Sequence, residues 1–366
     1  MINILVNGLT RTFGGIESLF YSIVKYSDRS KFHFDFLCFE KHAERAEDFE
    51  KLGSKIYYIP RPGENYFDYK QTLNSLFNEK KYDVYHVNLT RYKPDYDIKM
   101  AKRSGCKIVI HSHLTGINKS KNPIYTGIRY LEFLVYKKPV IKMADCLLAC
   151  SNDAGKYLFG HLKYNIIYNG VNYEDYLFSL ENRKSVRREF NIKKGEILIG
   201  NVGRLTIQKN QIYLLDMFRK VIRSSKKYKL MIVGEGERNK ELKKYINDYN
   251  LEDYVIMAGN RNDVGRLLSA FDCFVLPSIR EALPISLIEA QINGLQCIVT
   301  ENITREVDIS NIIRIGIGNE NLTKWSKSIL NITLPRENYI CAEQDDKFCI
   351  TRCIENFGRL YERLVF

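Results

Sequence analysis

Two carboxylates, Glu281 and Glu289, stand with seven residues between them in Glu281-Ala-Leu-Pro284-Ile-Ser-Leu-Ile-Glu289, shortly after the apolar run Cys273–Leu276. Pro284 suits the first turn of a helix, so Glu281 falls in the loop above the helix start and Glu289 inside it. Ionised carboxylates are strong hydrogen-bond acceptors, and a loop folding Glu281 back beside Glu289 could hold sugar and ribose hydroxyls. Open backbone N–H groups near Leu283 would add a phosphate site. The plainer reading is two exposed glutamates flanking a core helix. Arg204 and Lys209, in Gly203-Arg-Leu-Thr-Ile-Gln-Lys209-Asn210, combine a forked guanidinium with a point-charge ammonium, a pairing suited to a diphosphate. Two surface bases on a loop are the alternative.

Near the N-terminus, Asn7-Gly-Leu-Thr-Arg-Thr-Phe-Gly14-Gly15-Ile-Glu17 separates a strand pattern from a helix pattern. Adjacent glycines let backbone approach a ligand and aim helix-start amides at an anion; an ordinary turn would need them too. The segment is not the G-x-G-x-x-G dinucleotide fingerprint, which disfavours NAD. His86, His111 and His113 end apolar runs. A histidine at a strand's carboxyl edge can donate to a developing anion or a substrate hydroxyl, or can serve structure by bonding a neighbouring carbonyl. His111 and His113 share a face, but no third metal ligand is evident, and no metal site is expected.

These residues need a scaffold that brings loop ends together, and the rest of the sequence supplies one. Short apolar strands alternate with longer helical patterns, which argues for parallel sheets covered by helices. Strands are expected at Asn3–Val6, Phe34–Phe39, Ile56–Ile59, Val84–Val87, Ile108–His111, Cys146–Cys150 and Asn165–Tyr168. After a break at Asn169-Gly170-Val171 and a charged connection over 181–196, six more follow: Ile197–Val202, Lys229–Val233, Val255–Ala258, Cys273–Leu276, Gln296–Thr300 and Ile312–Ile315. Two alternating runs imply two doubly wound α/β domains facing one another across a cleft, with ligands outside the carboxyl ends of the strands. The expected boundaries are 1–175, 176–345 and a terminal helix within 346–366, amphipathic from Asp346 to Leu364.

A chain of 366 residues, 45% hydrophobic and 27% charged, can bury two cores and is neither disordered nor a small disulfide scaffold. No run of about 18 apolar residues exists to span a bilayer, and the first residues read as a strand rather than a signal peptide. Nine scattered cysteines without a C-x-x-C pair read as reduced, buried thiols in a cytoplasmic protein. The net charge is +13, and residues 91–143 hold 12 Lys or Arg against 3 acids, interleaved with large apolar groups. Lys119, Lys121, Tyr125, Arg129, Tyr130, Phe133, Tyr136, Lys137, Lys138 and Lys142 form a mixture suited to an anionic membrane surface. A solvated basic face is the alternative, and no nucleic-acid motif accompanies the charge.

In its ordered set of motifs the sequence resembles the retaining group 1 glycosyltransferases of the GT-B fold (family 4-like), notably those of bacterial capsular and exopolysaccharide assembly. The set comprises Gly14-Gly15-Ile-Glu17, His113, Ala144–Ser151 leading to Asn169-Gly170-Val171, Gly203-Arg204 through Lys209, Val233-Gly-Glu-Gly236, Phe271–Ser278, and Glu281 with Glu289 followed by Gly294. The resemblance implies two Rossmann-like domains, the first for the acceptor and the second for a nucleoside diphosphate sugar, with UDP the expected nucleotide. It implies that Arg204 and Lys209 clamp the diphosphate and stabilise its departure. Glu289 would hold the ribose, and Glu281 with the backbone of Ala282 and Leu283 would hold the transferred sugar. Gly15 would approach the diphosphate from the opposite domain, and His113 would contact the sugar near the reacting carbon. The base would rest near Gly234, Gly236, Asn260 and Arg261, and the terminal helix would cross back to the first domain.

The sequence departs from the family at Ala282, where glycine is usual, and at Asn88, where another histidine is often found. The implied reaction is transfer with retention to a saccharide or lipid-linked saccharide on the inner face of the membrane, without metal or further cofactor. A nucleotide-sugar epimerase on the same fold and a non-catalytic nucleotide-sugar-binding partner are the competing readings.

Overall fold

The computed structural model describes residues 1–11, 14–89, 96–116, 123–310, 312–332 and 347–366. Each run expected as a strand forms one. β1 (Ile2–Leu9), β2 (Phe32–Cys38), β3 (Ile56–Tyr58), β4 (Val84–Leu89), β5 (Lys107–Ser112), β6 (Cys146–Ala149) and β7 (Asn165–Ile166) make a seven-stranded sheet ordered β3-β2-β1-β4-β5-β6-β7. β8 (Ile197–Val202), β9 (Tyr228–Val233), β10 (Val255–Gly259), β11 (Cys273–Leu276), β12 (Gln296–Thr300) and β13 (Ile312–Ile315) make a six-stranded sheet ordered β10-β9-β8-β11-β12-β13. Each named strand pair is parallel. All six residues of β4 are buried, as expected of a central parallel strand with helices on both faces.

The chain divides into two compact units, Met1–Val171 with Gln344–Phe366, and Asn172–Glu343. In the first, the helix Ile350–Val365 lays Ile350, Cys353, Phe357, Leu360 and Tyr361 into the same core as Ile4, Val6, Phe36 and Val109. Their spacing puts all five on one helix face. The sequence pattern suggested a start at Asp346, which lies outside the described residues. Gly170 explains how this helix begins so close to the chain: a Cβ there would sit 2.6 Å from Cys353 Cβ and 2.8 Å from Ile350 Cα.

Residues 181–196, expected as the connection between domains, are instead integral to the second unit. The helix Leu180–Glu189 buries Val186 and sends Arg183 and Arg187 to Asp272 at 2.5 and 3.1 Å, and Asp272 also accepts from the Leu198 amide at 2.7 Å. The charge that made this segment look like a linker is what fastens it. Eight cysteines among the described residues are free thiols, seven of them buried; Cys341 lies outside the described residues.

Part of the basic stretch, including Lys119 and Lys121, also lies outside the described residues. The helix Pro123–Met143 within it has an inverted pattern. Thr126, Arg129, Glu132, Tyr136 and Lys137 are partly buried, whereas Ile124, Tyr125, Ile128, Leu131, Leu134 and Val135 are exposed, Leu131 by 61%. Only Val140 of this helix is fully buried.

In both sheets the strand order reverses, between β1 and β4 and between β8 and β11. Such reversal points splay the following loops apart and make room for ligands at the carboxyl ends. The loops after β1, β8 and β11 carry most of the candidate site residues.

Candidate active site

In the second unit, the loop after β8 carries Arg204 and Lys209, and the loop after β11 carries Glu281. Lys209 Nζ lies 2.6 Å from Glu281 Oε1, both side chains being largely buried. Arg204 is exposed and makes no ion pair among the described residues. Four hydrogen bonds fix this arrangement. The Ile279 amide donates to the Gln208 carbonyl (2.8 Å), Gln208 Nε2 to the Arg280 carbonyl (2.9 Å) and Asn210 Nδ2 to the Pro277 carbonyl (3.2 Å). Gln211 Nε2 donates to the carbonyl of Arg204 itself (3.0 Å). Asn210 adopts φ +57°, a left-handed turn that asparagine tolerates, and this aims the chain from the loop into the helix Gln211–Ser224.

Glu289 lies in the helix Ile285–Ile292 and is buried. Burial lifts its carboxyl to about 7, against the opposing pull of a hydrogen bond from Tyr176 and the charge of Lys209. Lys209 thus pairs with Glu281, and its charge also reaches Glu289. Pro284 precedes the helix rather than opening its first turn. The first amides bonded back to it are those of Leu287 and Ile288, which leaves the helix-start N–H groups before them outside the helical ladder. Ala282 does not take a positive φ, so alanine stands there without backbone strain.

Gly234 and Gly236 answer first to the fold. A Cβ on Gly234 would lie 2.2 Å from the Gly203 carbonyl oxygen, and one on Gly236 would lie 2.4 Å from that of Leu205. Both glycines let the loop after β9 press on the loop that carries Arg204, with the Leu205 amide donating to Glu235 O at 2.9 Å. Arg261 is committed elsewhere: it pairs with Asp263 at 2.7 Å and Glu189 at 3.0 Å, within a cluster that Arg266 completes. Its guanidinium is therefore not the part of the Asn260-Arg261 stretch that is available to a base.

In the first unit, Gly15 opens the helix Gly15–Tyr26, and Glu17 caps it. The Glu17 carboxylate accepts from the Gly14 amide at 3.0 Å and from Thr10 Oγ1 at 2.7 Å. His86 and His111 lie buried in the core rather than at a ligand edge. Tyr361, from the helix Ile350–Val365, meets His86 Nδ1 at 2.9 Å, and His86 Nε2 meets His111 Nδ1 at 3.1 Å. Their place is structural, tying that helix to the sheet. His113, one step beyond β5, is only partly buried, and its Nε2 lies 2.9 Å from Asn88 Oδ1. Desolvation pulls His86 and His113 down to about 3 and holds His111 well below its ordinary value, which keeps all three imidazoles neutral near pH 7. Among the described residues no group of three His, Cys, Asp or Glu is placed to hold a metal ion.

Sequence patterns gave no reason to single out Tyr176, Gln208 or Gln211. Tyr176 and Gln211 act on the site from outside its motifs and Gln208 from within one, and their only local signal is being polar beside apolar runs.

Two family models match the chain, Glycosyltransferase Family 4 over residues 13–175 and Glycosyl transferases group 1 over residues 182–311. The chain thus carries a Family 4-like glycosyltransferase domain followed by a group 1 glycosyltransferase domain. The first match falls mainly on the seven-stranded unit, and the second spans the loops that carry Arg204, Lys209 and Glu281 and the helix that carries Glu289. This glycosyltransferase is 26% identical over 339 residues to EpsF of Bacillus subtilis (strain 168), which covers 89% of this chain and 85% of that one. It is 30% identical over 241 residues to the UDP-Gal:alpha-D-GlcNAc-diphosphoundecaprenol alpha-1,3-galactosyltransferase of Escherichia coli, over 63% of this chain and 60% of that enzyme. Among solved structures, Anabaena Alr3699/HepE in complex with UDP-glucose superposes with a TM-score of 0.73 at 17% identity, covering 100% of this chain and 97% of that one. WaaG, a glycosyltransferase involved in lipopolysaccharide biosynthesis, gives 0.66 at 14% identity, covering 99% and 95%. These likenesses establish the GT-B fold of the glycosyltransferase.

Proposed function

We propose that this enzyme transfers a glycosyl unit from a nucleoside diphosphate sugar, UDP-linked, to a hydroxyl of a saccharide or lipid-linked saccharide during surface polysaccharide biosynthesis. The observation that carries the reading is the Lys209–Glu281 pair at 2.6 Å, with Arg204 exposed on the same loop as Lys209 and Glu289 buried in the helix that follows Glu281, at the reversal of the second sheet. Glu289 receives the ribose hydroxyls, Glu281 with the backbone of Ala282 and Leu283 receives the sugar, and Arg204 and Lys209 receive the diphosphate. In the first unit, Gly15 is assigned to an anion at its helix start and His113 to a sugar hydroxyl. The E. coli relative named for a UDP-galactose donor and a diphosphoundecaprenol acceptor, and the UDP-glucose complex of HepE, support the choice of donor and acceptor classes.

The reaction we propose retains configuration. The bond from the anomeric carbon to the diphosphate oxygen breaks, with its electron pair leaving on that oxygen. The acceptor hydroxyl attacks from the same face, and its proton passes to the departing diphosphate. A carboxylate already paired with an ammonium, as Glu281 is, makes a poor nucleophile, which favours this path over a glycosyl-enzyme of the two-carboxylate kind. The two cations neutralise the leaving group in place of a metal ion. Arg204→Ala should lower kcat by roughly a hundredfold or more without loss of stability. Undiminished transfer by this variant, with a panel of nucleotide sugars and a lipid-linked acceptor, would rule out the clamp; an inverted product anomer would rule out retention.

We also place the enzyme at an anionic membrane surface on the cytoplasmic side. The support is the Pro123–Met143 helix, whose exposed apolar residues stand beside Lys137, Lys138 and Lys142. Among the described residues no helix is long and apolar enough to cross a membrane. Sedimentation with phosphatidylglycerol vesicles but not phosphatidylcholine vesicles is expected, and the Leu131→Ser/Val135→Ser variant should lose it; equal partition to both vesicles would refute the assignment.

A further inference from the structure

We propose that Asn88 is a positioning residue that fixes the tautomer of His113, so that His113 meets its substrate as a hydrogen-bond acceptor through Nδ1. The inference begins from a backbone carbonyl, which can only accept. Asn88 lies at the carboxyl end of β4, buried, with its amide 2.8 Å from the carbonyl oxygen of Asn7 in β1. The atom facing that carbonyl must therefore be the NH2 group, and the other terminal atom must be the oxygen. That oxygen lies 2.9 Å from His113 Nε2. An amide oxygen also only accepts, so Nε2 carries the proton. In a neutral imidazole the second nitrogen then holds a lone pair. His113 Nδ1 has no hydrogen-bond partner among the described residues, and its side chain is partly exposed.

The carbonyl, the amide and the imidazole thus form a directed chain, Asn7 C=O to Asn88 to His113, with no freedom to reverse. The local packing holds it in place. Gly8 stands against Asn88, where a Cβ would lie 3.1 Å from Nδ2 and 3.3 Å from Cβ, and the Gly8 backbone has φ +148°. A side chain at position 8 would push the amide off its carbonyl. A histidine at position 88 could not do the same work, because a second imidazole can exchange donor and acceptor ends, whereas an amide held by a carbonyl cannot. This departure of the sequence from the family pattern therefore acquires a function.

Given the transfer reaction proposed above, on which the choice of ligand rests, the group that His113 receives is a hydroxyl proton of a sugar. His113 is accordingly neither a donor to a developing anion nor a general acid here. The same chain sets up a thermodynamic test. If Asn88 acts only through His113, removing His113 should leave Asn88 with nothing further to contribute.

The first measurement needs no substrate, so its outcome is separable from any failure to transfer sugar. In a two-bond proton–nitrogen correlation spectrum of the free enzyme at pH 7, His113 should show the Nε2–H pattern with a slowly exchanging proton, and Asn88→Leu should lose that protection. An Nδ1–H pattern in the wild type, or an unchanged Nε2–H proton in Asn88→Leu, overturns the proposal. The second measurement is a cycle of kcat/KM for His113→Ala, Asn88→Leu and the double variant. Asn88→Leu should lose roughly tenfold or more, as orienting partners of histidines commonly do, and the double variant should be no worse than His113→Ala alone. Additive losses overturn it. If Asn88→Leu fails to fold, the nearly isosteric Asn88→Asp decides: a carboxylate facing Nε2 stabilises the imidazolium, so the acid limb of the kcat/KM profile must move to higher pH, and an unmoved limb overturns the proposal.

Discussion

Glu289→Gln tests whether a buried carboxylate sets the pH at which the donor binds. Burial raises this carboxyl from 4.5 to about 7 in the ligand-free chain. A group that must be ionised to receive two ribose hydroxyls is then only about half ready at neutral pH. One unit lower about a tenth is ionised, and affinity lies about tenfold, or ~1.4 kcal/mol, below that of the fully ionised site; at pH 5.5 the deficit reaches about 2 kcal/mol. Exchanging a charged acceptor for a neutral amide forfeits about 1 kcal/mol per hydrogen bond, hence about 2 kcal/mol for two. These magnitudes coincide at pH 5.5, so wild type and variant should bind alike there and differ by roughly 30-fold at pH 8. Titration calorimetry with UDP-glucose, whose disubstituted diphosphate does not ionise further in this window, reads the difference directly. The stability of the free chain should move the opposite way. Between 4.5 and 7 the folded state keeps a proton that the unfolded state has lost, so Glu289 weakens the fold as pH rises through that interval. Above it the variant should be the more stable by up to about 3 kcal/mol. A wild-type affinity that stays flat from pH 5.5 to 8, or an equal slope in the variant, would refute the reasoning.

Lys209→Met should cost about 3 kcal/mol in urea unfolding besides abolishing turnover, because it leaves Glu281 buried without its partner, and Glu281→Gln in the same chain should recover part of that loss. Gly236→Ala should destabilise by about 1–3 kcal/mol and depress kcat, since its Cβ would meet the Leu205 carbonyl at 2.4 Å and displace the Arg204 loop; a wild-type melting curve would contradict this. Tyr361→Phe should cost about 1–2 kcal/mol by leaving His86 Nδ1 buried and unpaired, measurable by chemical denaturation. His86, held down to about 3 against 6.5 in the unfolded chain, is protonated first in the unfolded state, so the stability it contributes is full above pH 6.5 and is lost as pH falls toward 3. Urea midpoints at pH 7, 6, 5 and 4 should therefore decline less steeply in His86→Gln than in wild type.

Much of this architecture was legible in the sequence, for a simple reason. Parallel strands buried on both faces are written as short apolar runs, and all thirteen runs stand out between helical patterns. The gathering of Arg204, Lys209 and Glu281 on neighbouring loops was legible too, because all three sit where strands end. What stayed hidden depends on partners far along the chain. Arg183 and Arg187 looked like linker charge because Asp272, the acid that pins them, lies more than eighty positions away. His86 and His111 looked like cleft histidines because nothing local tells that Tyr361 covers them. Arg261 looked available until Glu189 and Asp263 were found around it. Gly234 and Gly236 were read as ligand contacts, and a close passage between two loops already accounts for their lack of side chains.

The helix Ile350–Val365 completes a core that β1 begins. A ribosome making this chain at about 5–20 residues per second delivers Tyr361 roughly twenty seconds to a minute after Leu9 has emerged. During that interval the apolar face of the first sheet is open, while residues 172–343, contiguous in sequence, can finish folding on their own schedule. The nascent protein is therefore most vulnerable to chaperone capture and aggregation late in its synthesis, at the half that was made first.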